Sequence, residues 1–310
     1  MSEAARGVMA MAVAAAIWGV SSLLYKALAN VPPLEILAHR TIWSAVFLGL
    51  VLLAQRRGAE LRAGLREAGN LRTLGIAALL ISSNWLAFIY AVQSGAALEA
   101  SLGYYIFPLV AVALGYLVLG ERFSAGQTLA IALATGAVLV MSWGLGSPPW
   151  LALIMAFSFG FYGLVKKRLA LGPAISVFVE TLLLAPLALV FLFGMKAGLW
   201  TDLGGRVGGL MGSNWREAAL LVLAGPITGW PLLLFAYATR RVSYATIGLV
   251  QYLNPTIQFF MAVLLYGEPF THWDAVAFPM IWAALAVYSL ESWRREKSSR
   301  SASISSGTVA

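Results

Sequence analysis

Mostly apolar stretches of about 20 residues, the length a helix needs to cross the hydrocarbon core of a bilayer, recur along this chain. They cover 8–29, 34–54, 71–93, 97–119, 126–143, 149–169, 174–194, 214–239, 244–266 and 272–292. Inside that core no water is available to bond the backbone, so each stretch must satisfy its own amides and carbonyls. The pattern therefore predicts an all-α integral membrane protein with ten transmembrane helices. The longest linkers, 55–70 and 195–213, are too short for a soluble domain. Composition agrees: 60% of the residues are hydrophobic and 11% charged, with a mean hydropathy of +0.82, against roughly 25% charged in soluble domains.

Several functional classes are excluded by what the chain lacks. A net charge of +8 would suit nucleic acid only if a soluble basic face carried it, and none is predicted. There is no cysteine, and the two histidines, His39 and His272, lie far apart, which argues against a histidine or cysteine metal site. No GxxxxGK[ST], HExxH or GxSxG pattern occurs, so neither a nucleotide-driven pump nor an intramembrane enzyme is expected, and no cofactor is implied. The first apolar run, with Arg6 ahead of it, is too long for a signal-peptide core and reads as the first membrane helix.

The chain also repeats itself. Ser101 to Phe123, SLGYYIFPLVAVALGYLVLGERF, returns as Gly248 to Phe270, GLVQYLNPTIQFFMAVLLYGEPF, with Tyr105 on Tyr252, Pro108 on Pro255, Gly120 on Gly267 and Glu121 on Glu268 at a constant offset of 147. A second match places Trp18, Gly19 and Lys26 on Phe159, Gly160 and Lys167 at an offset of 141. Domains are accordingly expected at 1–146 and 147–296, each of five helices, followed by a disordered cytoplasmic tail, 297–310. Of the 21 Lys and Arg, only Lys196, Arg206 and Arg216 fall in outer loops if the N-terminus is inside; Lys26 and Arg40 lie within spans and the other sixteen in inner segments. By the positive-inside bias both termini are cytoplasmic. Five helices per half then makes the second half inverted, a transporter device that allows alternating access around a central site.

These residues carry a family resemblance. AAAIWGVSSLLYKAL (14–28), PPLEILAHRTIWS (32–44), SNWLAFIYAVQ (83–93), LEASLGYYIFPL (98–109), GERF (120–123) and SFGFYGLVKKRL (158–169) resemble the RarD branch of the EamA drug/metabolite transporter superfamily, and the chain is also similar to amino-acid exporters of the YddG type. The resemblance implies inverted five-helix repeats, a bacterial inner membrane and export of small metabolites.

Polar groups inside spans are expensive and mark candidate sites. Asn84 and Trp85 lie near the middle of the third span and Trp230 near that of the eighth, where a midplane cavity is expected; helix-to-helix bonding by Asn84 is the plainer alternative. Tyr104 and Tyr105 precede Pro108, as Gln251, Tyr252 and Asn254 precede Pro255. Proline removes an amide and clashes with the preceding turn, so Pro108 and Pro255 are candidate hinges on two helices facing across a cavity. Glu35 and His39 share a face, and Lys26 or Arg40 could meet a substrate carboxylate while Glu99 meets an ammonium. Trp18, Tyr25, Trp43 and Tyr162 supply aromatic surface. Gly120-Glu121 and Gly267-Glu268 read as helix caps or hairpin locks.

The function expected is secondary export, by alternating access, of neutral and aromatic amino acids; a permease for chloramphenicol-like hydrophobic drugs is the alternative. The partners are the small-molecule substrate and the bilayer. Proton coupling and oligomeric state stay open, although Glu35, His39, Glu99 and Glu180 could titrate.

Overall fold

The computed structural model describes residues 2–66, 68–119, 124–166, 169, 171–200, 211–239, 241–242 and 250–305. Gly120 to Phe123, Lys167 and Arg168, Arg206, Arg240 and the end of the tail therefore lie outside the described residues, and with them the cap expected at Glu121. Among the described residues no strand occurs. The helices are α1 (Glu3–Val20), α2 (Ser22–Ala27), α3 (Pro33–Ala54), α4 (Gly58–Arg66), α5 (Ala68–Ser94), α6 (Ala97–Leu119), α7 (Ala125–Leu145), α8 (Trp150–Lys166), α9 (Pro173–Lys196), α10 (Trp215–Thr239), α11 (Leu253–Phe260) and α12 (His272–Ser305). A π-helical turn, Met261–Leu265, continues α11.

Among the described residues seven stretches are long and apolar enough to cross a membrane, α1 with α2 counting as one, and Ala97–Val110, Trp150–Lys166 and Leu253–Leu265 are shorter apolar helices. Local chemistry sets the ends. Ser2 accepts the amide of Ala5, Ser124 and Gln127 form a capping box, and Pro33 and Pro173 each open a helix where a missing amide costs nothing. The surface is apolar as well: Leu53 is 75% and Leu264 76% exposed, the reverse of a soluble protein and suited to lipid contact.

Three expectations are revised. The first span is broken at Ser21, whose hydroxyl donates to the carbonyl of Trp18 at 2.6 Å; a hydroxyl bonded back into its own helix bends it. Within the linker 55–70, α4 forms and packs Leu61 and Leu65 against a buried cluster of Leu52, Leu74, Ala174, Ile175 and Val179. The last helix continues to Ser305, into the stretch read as a disordered tail; extending a stable helix adds one bond per residue without a new nucleus.

Between the halves, α1 packs on α10 and α11, and α8 packs on α5 and α6; α3 lies against α10 and α5 against α9. The pairs α3–α9, α6–α11 and α7–α12 also touch. Exchanging α1, α3, α5, α6 and α7 for α8 to α12 in order maps this set of contacts onto itself. Two glycines make matched crossings possible. A Cβ on Gly19 would stand 2.7 Å from Ile257, and one on Gly160 would stand 2.9 Å from Val110; both pairs obey the sequence offsets of 141 and 147.

Glu268 acts as the lock its position suggests. Its buried carboxylate accepts the amides of Ala97 and Leu98 at 2.8 and 2.7 Å, tying the end of α11 to the start of α6. These are orphan donors at a helix N-terminus, where negative charge is favoured.

Candidate functional site

Arg40 is the centre of the site. It lies two turns into α3 and only 6% of it is exposed. Nη1 donates to the hydroxyl of Tyr25 at 2.7 Å. Its guanidinium stands 4.2 Å from the centroid of the Trp85 ring and 5.6 Å from that of Tyr25. Among the described residues no carboxylate pairs with Arg40, and its buried Nε has no hydrogen-bond partner. A buried cation is tolerable only with compensation. Here two aromatic faces and one hydroxyl provide part of it, and a donor edge remains for an acceptor.

Asn84, one turn around α5 from Phe88, joins three helices. Nδ2 donates to the carbonyl of Met155 at 2.9 Å and to Ser158 at 3.3 Å on α8, while Oδ1 accepts the hydroxyl of Tyr104 on α6 at 3.1 Å. The structural alternative for Asn84 is thus realised: its amide bonds across helices. An aromatic wall continues from it. Tyr104 meets Phe88 and Phe159 edge-on, with centroids 5.7 and 6.3 Å apart, and Phe159 stacks on Tyr162 at 5.7 Å. Tyr25, Arg40, Asn84, Trp85, Tyr104 and Tyr162 therefore form one connected polar and aromatic patch between α2, α3, α5, α6 and α8.

Other predicted residues are placed elsewhere. Trp230 is 52% exposed with its ring beside Phe47, so it does not reach Arg40. Trp18 packs toward Phe235 on α10. Lys26 stands over the ring of Tyr266, and His39 is buried on α3. Glu99 is occupied as a helix cap, accepting the amides of Leu151 and Ala152 at 2.8 and 3.3 Å, which takes it away from an ammonium-binding role. A groove of about 330 Å³ between α1, α2 and α10, lined by Ile17, Leu23, Leu220 and Leu223, contains none of the predicted residues.

The two proline segments differ from expectation. Their helices do not face each other across a cavity: α6 and α11 are in direct contact, and the hydroxyls of Tyr105 and Thr256 are 2.7 Å apart. Pro108 lies inside α6, whereas Pro255 lies in the first turn of α11, just after a break at Tyr252. Asn254 accepts from Gln258 at 2.9 Å, and Gln251 is half-buried with its Oε1 unpartnered.

Residues that sequence reasoning passed over are the acceptors and neighbours: the carbonyl of Met155, Ser158 and Phe88. A backbone carbonyl leaves no signature in a sequence. Phe88 differs from its surroundings only by lying one turn from Asn84.

The model of the EamA-like transporter family matches twice, over residues 5–143 and 147–290. Over 304 residues the chain is 41% identical to an uncharacterised transporter of Bacillus subtilis, YojE, covering 97% of this chain and 99% of that one. Over 286 residues it is 40% identical to Protein RarD of Escherichia coli, covering 92% and 94%. A solved structure, described only as the crystal structure of a protein, superposes with a TM-score of 0.60 at 19% identity, covering 94% and 98%, and shares the fold. With both halves matched and such relatives over nearly the whole chain, the protein belongs to the EamA-like transporter family and is a RarD-like multi-pass membrane transporter rather than an enzyme.

Proposed function

We propose that this protein is a secondary exporter of small carboxylate-bearing metabolites, foremost neutral and aromatic amino acids, across a bacterial inner membrane. In this reading ten spans form two inverted five-helix halves, 1–146 and 147–296, with both termini cytoplasmic. The family model matching once per half and the contact set that maps onto itself support the duplication. The lysine and arginine bias supports the orientation.

One observation carries the substrate reading: Arg40 is buried against Trp85 and Tyr25 with no described carboxylate beside it. A substrate carboxylate would complete its hydrogen bonding in a charge-assisted contact. The wall of Phe88, Tyr104, Phe159 and Tyr162 would accept aliphatic or aromatic side chains with little discrimination. The hinge in this scheme is Pro108 of α6, with the break before Pro255 as its counterpart.

A second reading has one specific support. A Pseudomonas aeruginosa relative, 29% identical over 272 residues, is described as chloramphenicol-sensitive protein RarD. A neutral drug has no use for a guanidinium, so the two readings separate at Arg40. Counterflow of labelled amino acids and of chloramphenicol in liposomes, with and without a pH gradient, tests both. Amino-acid flux that collapses in Arg40→Ala supports the first reading; drug flux indifferent to that change, with no amino-acid flux, replaces it by the second. Stimulation by the gradient would establish proton coupling.

A further inference from the structure

The second half contains a polar pair that the Arg40 site does not use. Glu180, 1% exposed on α9, accepts at Oε1 from Lys166 Nζ at 2.6 Å and from Ser176 at 2.8 Å, and at Oε2 from Tyr162 at 3.1 Å. Lys166 also donates to Ser176, and its Nζ stands 5.1 Å from the Tyr162 ring centroid. The ammonium thus sits in a cradle of carboxylate, hydroxyl and aromatic face, the groups that recognise primary ammonium ions. The pair bridges α8 and α9, which share little backbone contact otherwise: α8 packs on α5 and α6, and α9 on α3.

Register gives this cradle its meaning. Pro33 and Pro173 each open a helix, and aligning them places Arg40 on Glu180 and Thr41 on Thr181. Aligning Gly19 on Gly160 places Tyr25 on Lys166. The contacts Tyr25–Arg40, at 2.7 Å, and Lys166–Glu180, at 2.6 Å, are therefore equivalent in the two halves, with the buried charge reversed.

We propose that Glu180 is a site for a primary ammonium group, the counterpart of the Arg40 carboxylate site, and that Lys166 is a tethered occupant displaced by the substrate's amino group. Three other carboxylates are engaged differently. Glu99 and Glu268 bind backbone amides at helix starts, and Asp274 binds Thr271; Glu180 is held by side chains alone. Lys166 ends α8 and its side chain is 20% exposed, so its flexible stem can carry the ammonium out to water while another cation takes its place. One ammonium replaces another, and the buried carboxylate is never left uncompensated.

The two sites act in succession. α3 and α9 run antiparallel, since Leu52 clusters with Ala174 and Ile175 while Ala38 clusters with Ala188 and Leu192. Gly49 lies against Phe178, so Arg40 and Glu180 differ in depth by about seven residues, roughly 10 Å at 1.5 Å per residue. The two charged groups on one α-carbon cannot span that distance.

The inference rests on the transporter reading with Arg40 as carboxylate site, and the test separates the two. In liposomes containing the full chain, flux of phenylalanine is compared with that of 3-phenylpropionate, which keeps the carboxylate and lacks the amine. Wild type is expected to favour phenylalanine about tenfold, and Glu180→Gln to bring the ratio near one. Independently of transport, methylammonium should raise the melting temperature of Lys166→Ala in detergent more than that of wild type, where the tethered lysine competes, and leave Lys166→Ala/Glu180→Gln unmoved. No methylammonium shift in Lys166→Ala, or a flux ratio unchanged by Glu180→Gln, overturns the ammonium site. If neither acid moves while methylammonium still stabilises Lys166→Ala, the ammonium site stands and the amino-acid reading fails.

Discussion

A guanidinium stacked on Trp85 and hydrogen-bonded to Tyr25 depends on being flat and forked, not merely positive. Lysine offers a point charge that neither stacks nor donates along two edges. Arg40→Lys is therefore expected to lose about tenfold or more of amino-acid counterflow, nearly as much as Arg40→Ala, whereas equal rates for Arg40→Lys and wild type would mean that charge alone suffices. Asn84 tests a structural role at the same scale. Its three hydrogen bonds join α5, α6 and α8, and bonds of this kind between membrane helices contribute on the order of 1 kcal/mol. Asn84→Leu should lower the melting temperature in detergent and loosen Tyr104. Arg40, Asn84 and Tyr104 were legible in the sequence as expensive polar groups within spans. Which residues they meet was not, because a backbone carbonyl leaves no mark in the sequence and any of several aromatics could supply a ring face.

At the scale of elements, the matched glycines give a paired prediction. A leucine at Gly19 meets Ile257 and one at Gly160 meets Val110, both at distances that real side chains do not tolerate. Overpacking of this kind costs about 1–3 kcal/mol, and thermal unfolding of the two variants should show losses of similar size. The two prolines should behave differently from each other. Pro108→Ala restores an amide inside α6 and is expected to straighten it and bias the protein toward one face, seen as altered cysteine-labelling access. Pro255→Ala acts in the first turn of α11, where the amide is unpaired in any case, and should change access little. The repeated sequence made the prolines look equivalent. The break at Tyr252 makes them unequal, because it leaves Pro255 at the start of α11 while Pro108 lies inside α6.

At the scale of the molecule, reporter fusions at either end should place both termini in the cytoplasm, as the distribution of 21 Lys and Arg requires; a terminus found outside would overturn the inverted arrangement. The contacts between halves make a further demand. Because α6 and α11 meet through Tyr105 and Thr256, the proposed alternating access would require the two proline helices to slide against each other. Removing that bond with Tyr105→Phe should shift the balance of inward and outward access while leaving the fold intact.

Membrane class, all-helical architecture and family are readable from the chain alone, because each rests on quantities local to it: the length of apolar runs and the motifs. Which polar and aromatic residues meet is set by the packing of the helices. It joined Arg40 to Tyr25 and Trp85, turned Trp230 toward Phe47, and engaged Glu99 as a helix cap. In a soluble helix the polar face betrays which side is buried. Here lipid and interior are equally apolar: Leu52 is 3% exposed and its neighbour Leu53 is 75% exposed. Hydropathy therefore carries no direction, and the facing of each side chain emerges only from how the helices pack.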